Sequence, residues 1–309
     1  NQQDYPWHSA KSSINAQLKD LTSLWQVSTS NRSIANKSGI FKWDEENYSV
    51  SDLGFKPSER TNTIQKIIDI NKQSEKKSVL PLKLTNCDQA WRDTNTLDFY
   101  VDFETVSDID DDFSRLPSSG GQAMIFMIGC GYIENEEWIW KCFIANSLTQ
   151  PDEKVIIESW CEYMKNVSQK LSLPDSRIFH WHSAETSSLN TAYNSAKNRF
   201  GEQSWENYNW YDLRKMVVAK EPLTIKGSFG FGLKAIAKSL YKLGLIDTSW
   251  NEGPTDGLGA MAGAWQANKE ANAKNISLKD TLLIKEIQKY NEVDCKVMWE
   301  IVKYLRQSH

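Results

Sequence analysis

Apolar positions follow helical spacing in the first part of the chain. INAQLKDLTSLWQ carries apolar residues at positions 14, 18, 21, 24 and 25, and TNTIQKIIDINKQ contains a second amphipathic pattern. Gly39 and Gly54 indicate turns between these two segments. The polar stretch SEKKSV and Pro81, which come next, are typical of a linker. Residues 1–95 are therefore predicted to form a small helical N-terminal module with a linker.

The pattern changes to that of strands from residue 96. TLDFYVDFET, QAMIFMIGCGYIE and EEWIWKCFIAN are rich in β-branched and aromatic residues and are bounded by Gly, Asn or Asp. Because the connections between them are short, these three strands are predicted to form an antiparallel meander.

Helical and strand patterns alternate in the rest of the chain. PDEKVIIESWCEYMKNVSQKL predicts a helix, RIFHWHS an apolar strand that ends at His182, and AETSSLNTAYNSAKNRF another helix. NYNWYDLRKMVV predicts a short strand and turn, and FGLKAIAKSLYKLG a helix closed by Gly244. GPTDGLGAMAGAWQANKEANAK is expected to hold a helix between mobile loops, ahead of a long terminal helix. Residues 96–309 are therefore predicted to form an α/β domain with a mixed five-stranded sheet flanked by helices.

The composition is that of a globular protein. The 309 residues suffice for one large domain and a smaller one, and 40% apolar with 25% charged residues gives no signature of disorder. No stretch approaches the ~18 apolar residues needed to cross a bilayer, so no membrane association is expected. The start, NQQDYPWHSAKSS, has neither an initiating Met nor a signal-peptide pattern, so we expect a processed chain or an excised fragment.

Cysteine usage and net charge limit the environment and the partners. The five cysteines are widely spaced and form no CxxC pair, so they suggest neither a disulfide framework nor a zinc site. This usage favours a cytoplasmic or nucleoid-associated protein that is not secreted. The net charge of −4 argues against a protein whose whole surface binds nucleic acid, but it allows an enzyme that binds polyanions locally through metal ions.

The first candidate motif is YVDFET. Side chains alternate along a strand, so Asp102 and Glu104 are expected on the same face. Their apolar neighbours indicate a central strand, where two adjacent carboxylates are costly to bury unless cations compensate them. A metal pair is the natural compensator. The alternative is a solvated strand end, because a DxE pattern also arises by chance.

The second candidate motif is YNEVDC in the predicted terminal helix. Tyr290 and Asp294 are four residues apart, so they lie on one helix face. An acidic strand early in the domain and this helix at its end are expected to converge on one metal site. The alternative is a core tyrosine beside a surface aspartate.

The third candidate motif is RIFHWHSAE, which delivers Glu185 just after a predicted strand. A carboxylate at a strand end is well placed to bind a metal. His180 and His182 alternate with aromatic residues and suggest zinc, but no partner Cys and no HExxH pattern accompany them. We therefore interpret the histidines as structural, with His182 as a candidate substrate contact.

Together these motifs resemble those of the DEDD exonucleases, in the branch that carries a tyrosine. YVDFET, IFHWHSAE and YNEVDC match the three motifs, and WYDLRKMV followed by GSFGFGLKAIAKSL matches the spacer between the last two. More narrowly, residues 97–306 resemble the YprB-type ribonuclease-H-like domains that are often joined to RecB-type nuclease domains. The upstream LTSLWQVSTSNRSIANKSGIFKWDE resembles the segment that precedes this domain in such architectures, which implies an N-terminal RecB-type partner outside this fragment.

The resemblance implies a ribonuclease-H-like fold and a 3′–5′ exonuclease, connected with processes such as DNA repair, that acts on single-stranded DNA or RNA. Asp102, Glu104, Glu185 and Asp294 would bind two Mg²⁺ or Mn²⁺ ions, which prefer oxygen ligands. Tyr290 would orient the attacking water.

The second motif departs from the common DEDD pattern. Most DEDD enzymes carry Asp at this position, whereas this chain has Glu185, as the narrower family does. Asp212 in WYDLR is the competitor for this ligand role. Its expected function is instead to cap or orient the following turn.

Substrate contacts are predicted around GSFGFG, which Lys226 and Lys234 flank. This glycine-rich backbone precedes a helix N-terminus, where a phosphate can bind, and Phe229 or Phe231 would stack on a base. The alternative is a flexible loop with core aromatic residues. The segment is no dinucleotide-binding fingerprint, because the strand and the acid that such a site needs are missing.

Two other functions are compatible with the same motifs. One is a structure-specific endonuclease on the same fold. The other is a catalytically degenerate domain that binds nucleic acid or a protein partner, which the glutamate at position 185 and the modest positive charge suggest.

Overall fold

The computed structural model describes residues 7–73, 78–107, 123–205, 207–250 and 257–309. The helices are α1 (His8–Leu18), α2 (Thr29–Lys37), α3 (Glu59–Lys72), α4 (Gln150–Leu171), α5 (Ala184–Phe200), α6 (Leu233–Lys242), α7 (Gly257–Lys274) and α8 (Leu282–Ser308). The strands are β1 (Val79–Leu80), β2 (Leu97–Val106), β3 (Met124–Glu134), β4 (Glu137–Ile144), β5 (Ser176–His180), β6 (Trp210–Asp212) and β7 (Thr224–Ile225). Within these ranges, no helix is long and apolar enough to cross a membrane.

The chain divides into two compact units, and both are discontinuous in sequence. The first unit comprises residues 1–88, 217–247 and 304–309, and the second comprises residues 89–216 and 248–303. The division into domains 1–95 and 96–309 stays a prediction.

The first unit contains α1 to α3, α6 and the two short strands β1 and β7. Ser58 caps α3 by accepting a hydrogen bond from Thr61 N, and the buried face of this helix includes Ile64 and Ile67. Strands β1 and β7 pair antiparallel. Gly39 and Gly54 both have a φ of +79°, a left-handed conformation that confirms the predicted turns.

Two expectations for the first unit are wrong in detail. The apolar stripe predicted from position 14 to 25 is not one helix, because α1 ends at Leu18 and Lys19 is left-handed, with a φ of 53°. A 3₁₀ turn at Leu21–Ser23 follows, capped by the side chain of Asp20. Residues 79 and 80, expected in a linker, instead form β1 and pair with β7, whereas residues 74–77 of that linker lie outside the described ranges.

The second unit is built on a mixed five-stranded sheet with the order β4-β3-β2-β5-β6. Strands β2, β3 and β4 form the predicted antiparallel meander. Strands β5 and β6 run parallel to β2, as their separation by helices requires. These pairings confirm an α/β unit with a mixed five-stranded sheet flanked by helices, and they place β2 at its centre.

Both faces of the sheet are covered by helices of the second unit. On one face, Phe103 of β2 packs edge-on against Trp160 of α4, with ring centroids 5.5 Å apart. On the other face, Trp299 of α8 stacks on Trp138 of β4, with centroids 5.6 Å apart. Helix α7 also packs against β2, and the mobile loop expected before it falls on residues 251–256, outside the described ranges.

Strand β5 ends two residues earlier than the sequence predicted. It ends at His180, and Trp181 and His182 lie in a bend. The reason is that the backbone of His182 adopts a left-handed conformation, with a φ of 78°. The backbone nitrogen of His182 donates a hydrogen bond to the carboxylate of Asp212. This backbone conformation is incompatible with a continued strand.

Glu153, in the first turn of α4, is a buried carboxylate that anchors β3. It is 4% exposed, and its Oε1 accepts a hydrogen bond of 2.6 Å from the backbone nitrogen of Ile125. The register of the β2–β3 pair shifts beside this point, between Glu104 and Thr105. Burial raises the pKa of Glu153 to about 7.

We expect Glu153 to make folding stability depend on pH. Because its pKa is higher in the folded chain, its contribution to the free energy of unfolding is fully present below about 4.5 and is lost as pH rises towards 7. Glu153→Gln keeps an acceptor for Ile125 but does not titrate. We compare the free energy of unfolding of wild type with that of Glu153→Gln. This difference should fall by on the order of 2 kcal/mol between pH 4.5 and pH 7. Urea unfolding at several pH values measures it, and a constant difference contradicts the expectation.

Candidate metal centre

Strand β2 presents two carboxylates from one face at the centre of the sheet. Asp102 and Glu104 are two residues apart, so the strand alternation directs both side chains away from the face on which Phe103 meets Trp160. Glu104 is only 7% exposed. The geometry follows directly from the alternating pattern of YVDFET.

Helix α8 brings a third carboxylate to the same place. Its apolar stripe, which includes the buried residues Ile287 and Met298, packs into the second unit and carries Asp294, 6% exposed, with it. Asp102, Glu104 and Asp294 each offer an oxygen atom, and these atoms all lie within 4.8 Å of one another. Two segments far apart in sequence thus converge on one acidic group.

Two uncharged donors orient this group. The Nδ2 atom of Asn291 donates to Oδ2 of Asp102 at 2.8 Å and to the backbone oxygen of Asp102 at 3.2 Å. The Nε1 atom of Trp250 donates to Oδ1 of Asp294 at 3.2 Å. Because neither donor carries a charge, they fix the carboxylates without neutralising them, as the outer partners of metal ligands commonly do.

Two cysteine thiols lie close enough to these carboxylates to feel their charge. Burial raises the pKa of the Cys295 thiol well above its usual value, and the nearby carboxylates of Asp102 and Asp294 raise it further. Burial, followed by the charge of Glu104, likewise raises the pKa of Cys142. The group itself offers carboxylate oxygens from Asp102, Glu104 and Asp294, and such oxygens suit Mg²⁺ or Mn²⁺ better than zinc.

Glu185 does not belong to the acidic group that the structure assembles. It lies in the first turn of α5, is 5% exposed, and its Oε2 is 3.3 Å from Nδ1 of His180. The ring of His180 packs edge-on against Trp210, with centroids 5.2 Å apart. Among the described acids, those within 4.8 Å of one another are Asp102, Glu104 and Asp294, so the role of Glu185 as a ligand stays a prediction.

Three further residues that the sequence analysis singled out, Tyr290, Asp212 and His182, differ in burial and in hydrogen bonding. Tyr290 lies on α8 one turn before Asp294 and is 9% exposed. Asp212 accepts hydrogen bonds at Oδ1 from Lys215 N at 2.8 Å and from His182 N at 3.1 Å, which is the turn-orienting role expected of it. The exposed ring of His182 has its Nδ1 3.2 Å from Ser183 Oγ.

The predicted substrate contacts Lys226, Phe229 and Lys234 belong to the first unit, whereas the three acids belong to the second. Lys226 Nζ donates to the backbone oxygen of Gln73 at 2.9 Å. The ring of Phe229 lies 4.9 Å from that of Trp43, and Phe231 similarly packs edge-on against a tryptophan of the same unit. These contacts favour the alternative that the aromatic residues of GSFGFG are core residues.

Sequence reasoning missed Asn291 and Trp250, which both donate hydrogen bonds to the acidic group. A signal for Asn291 exists, because it is a polar residue at a fully buried position within the apolar stripe of α8. Trp250 has no such signal, since its donation to Asp294 depends on how the chain returns to α8.

Comparisons with known proteins give no match: no family model, no curated protein and no solved structure matches this chain. The functional interpretation therefore rests on the motifs and on the geometry of the acidic group.

Asp294→Asn should make the metal-depleted protein more stable. The substitution removes one of three neighbouring carboxylates but retains an acceptor for Trp250 Nε1, so the free energy of unfolding in a chelator should rise by on the order of 1 kcal/mol. Millimolar Mn²⁺ should reverse the ranking, since an ion stabilises only the native chain that binds it. Urea unfolding measures both effects.

Glu286→Gln is the matched control, because Glu286 is an exposed acid on the same helix. It should change neither the stability in chelator nor the response to Mn²⁺. Equal stabilisation of wild type and Asp294→Asn by Mn²⁺ contradicts a metal centre at this position.

Proposed function

We propose that this chain is a divalent-metal-dependent 3′–5′ exonuclease that hydrolyses phosphodiester bonds of single-stranded DNA or RNA. The observation that carries the proposal is the convergence of Asp102, Glu104 and Asp294, whose carboxylate oxygens lie within 4.8 Å of one another. The proposal assigns the chain to the tyrosine-type DEDD exonucleases, nearest to the YprB-type domains.

The order of elements supports a ribonuclease-H-like fold for the second unit. Three antiparallel strands are followed by helix, strand, helix and strand, which is the order expected of that fold. The first acidic motif lies on β2, the central strand of the sheet. A site at the centre of a rigid sheet holds its side chains more firmly than one on a loop.

The chemistry of the acidic group fits Mg²⁺ or Mn²⁺. Two of its three acids are less than 10% exposed, and neighbouring carboxylates in a buried place are costly unless a cation shares them. Asp102, Glu104 and Asp294 would hold the metal, with Glu185 as the candidate fourth ligand. When bound, such ions supply positive charge to the scissile phosphate and to the oxygen that leaves.

The residues of the chain then have separate tasks. Asp102 and Glu104 supply ligands from a strand, and Asp294 supplies one from α8, so the site depends on how this helix packs against the sheet. Tyr290 lies one turn from Asp294 and would orient the attacking water through its hydroxyl. Because an ordinary tyrosine has a pKa near ~10, we assign it positioning rather than proton abstraction.

The negative net charge of the chain is compatible with a substrate that binds at one place through metal ions. With a net charge of −4, the chain has no overall positive charge to attract a polyanion. Binding through metal ions at one place does not need a basic surface. The proposed partners are single-stranded nucleic acid and an N-terminal RecB-type nuclease domain, and the proposed location is the cytoplasm or nucleoid.

Asp102→Asn tests the proposal with little change in side-chain shape. We expect purified wild type with Mg²⁺ or Mn²⁺ to shorten a 5′-labelled single strand from its 3′ end. Asp102→Asn should lower the rate at least about 100-fold, since even outer partners of metal ligands cost 10- to 100-fold. Glu286→Gln, the matched acid on α8, should cleave at the wild-type rate. Wild type that shows no metal-dependent cleavage, or Asp102→Asn that cleaves normally, contradicts the proposal.

The second candidate function is a catalytically degenerate domain that binds nucleic acid or a protein partner. The contact between Glu185 and His180 favours this alternative, because Glu185 then lies outside the group formed by the other acids. Under this alternative, the protein binds a labelled strand but releases no nucleotides with either metal. Cleavage of closed circles, by contrast, would indicate a structure-specific endonuclease.

A further inference from the structure

Asn291 is a buried polar residue at the centre of the face that α8 turns towards the sheet. It is 0% exposed, and it lies one helical turn from both Ile287 and Cys295, which are also buried. Its Nδ2 donates two hydrogen bonds to one residue, Asp102, at Oδ2 and at the backbone oxygen. The amide orientation follows from these contacts, because a flipped amide would place an oxygen against two acceptors.

The amide oxygen of Asn291 differs from the amide nitrogen in its contacts. Oδ1 of Asn291 is buried and accepts no hydrogen bond from any described residue. A buried acceptor left in this way costs free energy. What an asparagine supplies at this position, and an apolar residue of similar size does not, is the pair of hydrogen bonds that its Nδ2 donates to Asp102.

The strand next to β2 makes room for the amide. Gly129 of β3 is paired directly with Asp102. A Cβ atom at Gly129 would lie 1.8 Å from Oδ1 of Asn291 and 3.0 Å from Sγ of Cys295. Only glycine therefore lets Asn291 approach Asp102, and the three residues Gly129, Asn291 and Asp102 interlock across β3, α8 and β2.

We infer that Asn291 is a positioning residue, which holds the carboxylate of Asp102 in the orientation that a divalent cation requires. This inference rests on the proposed function of the same site. Two hydrogen bonds from one amide to Oδ2 and to the backbone of Asp102 restrict both side-chain torsions of that aspartate. A carboxylate fixed beforehand loses less conformational freedom when it binds a metal, so its affinity is higher.

Asn291→Leu removes the donor while it keeps the side-chain volume. We expect calorimetric titration of the full Asn291→Leu chain with Mn²⁺ alone to give a dissociation constant 10- to 100-fold larger than that of wild type. Asn272→Leu, at an exposed position on α7, is the matched control and should bind Mn²⁺ as wild type does.

A pair of variants separates positioning from packing. Gly129→Ala should lower the melting temperature, because its Cβ collides with Asn291. Combining it with Asn291→Ala removes the colliding amide, so the melting temperature should recover relative to Gly129→Ala. The double variant should nevertheless bind Mn²⁺ as weakly as Asn291→Leu, since the donor to Asp102 is still missing.

The Mn²⁺ titrations and the melting temperatures have three decisive outcomes. If wild type binds Mn²⁺ and Asn291→Leu or the double variant binds it equally well, the inference is overturned while the proposed metal site stands. If the double variant stays as unstable as Gly129→Ala, the interlock is wrong and the inference fails with it. If wild type binds no Mn²⁺ at millimolar concentration, the proposed function itself fails.

Discussion

The mutual repulsion of three carboxylates, held together by the packing of α8 against β2, is the constraint on which the rest of this site depends. The fold keeps oxygens of Asp102, Glu104 and Asp294 within 4.8 Å of one another in a largely buried place. Charges of one sign are not placed together in this way to stabilise a chain. In the metal site that we propose, a divalent cation would turn this repulsion into binding.

Neighbouring side chains orient these acids through hydrogen bonds. Asn291 and Trp250 each donate a hydrogen bond from an uncharged nitrogen. The absence of a side chain at Gly129 allows Asn291 to reach Asp102. Carboxylates that are held in one orientation are suited to bind a cation repeatedly in one geometry.

Local patterns in the sequence predicted much of this architecture. The alternation in YVDFET and its two neighbouring strands predicted the meander, and the spacing of Tyr290 and Asp294 predicted their common helix face, because both depend on residues close in sequence. The end of β5 was missed because Asp212, thirty residues later, holds the left-handed backbone of His182. Sequence spacing likewise shows neither the pairing of Glu185 with His180 nor the space that Gly129 leaves, since these contacts exist only after the strands and helices have packed.

We propose that the three acids form one divalent-metal site. Anomalous scattering from a crystal of this chain grown in Mn²⁺ tests it most directly, because it locates the ion without reference to activity. We expect a peak at bonding distance from carboxylate oxygens of Asp102, Glu104 and Asp294. A protein that crystallises with these side chains ordered and shows no peak among them, or binds Mn²⁺ only elsewhere, contradicts the account.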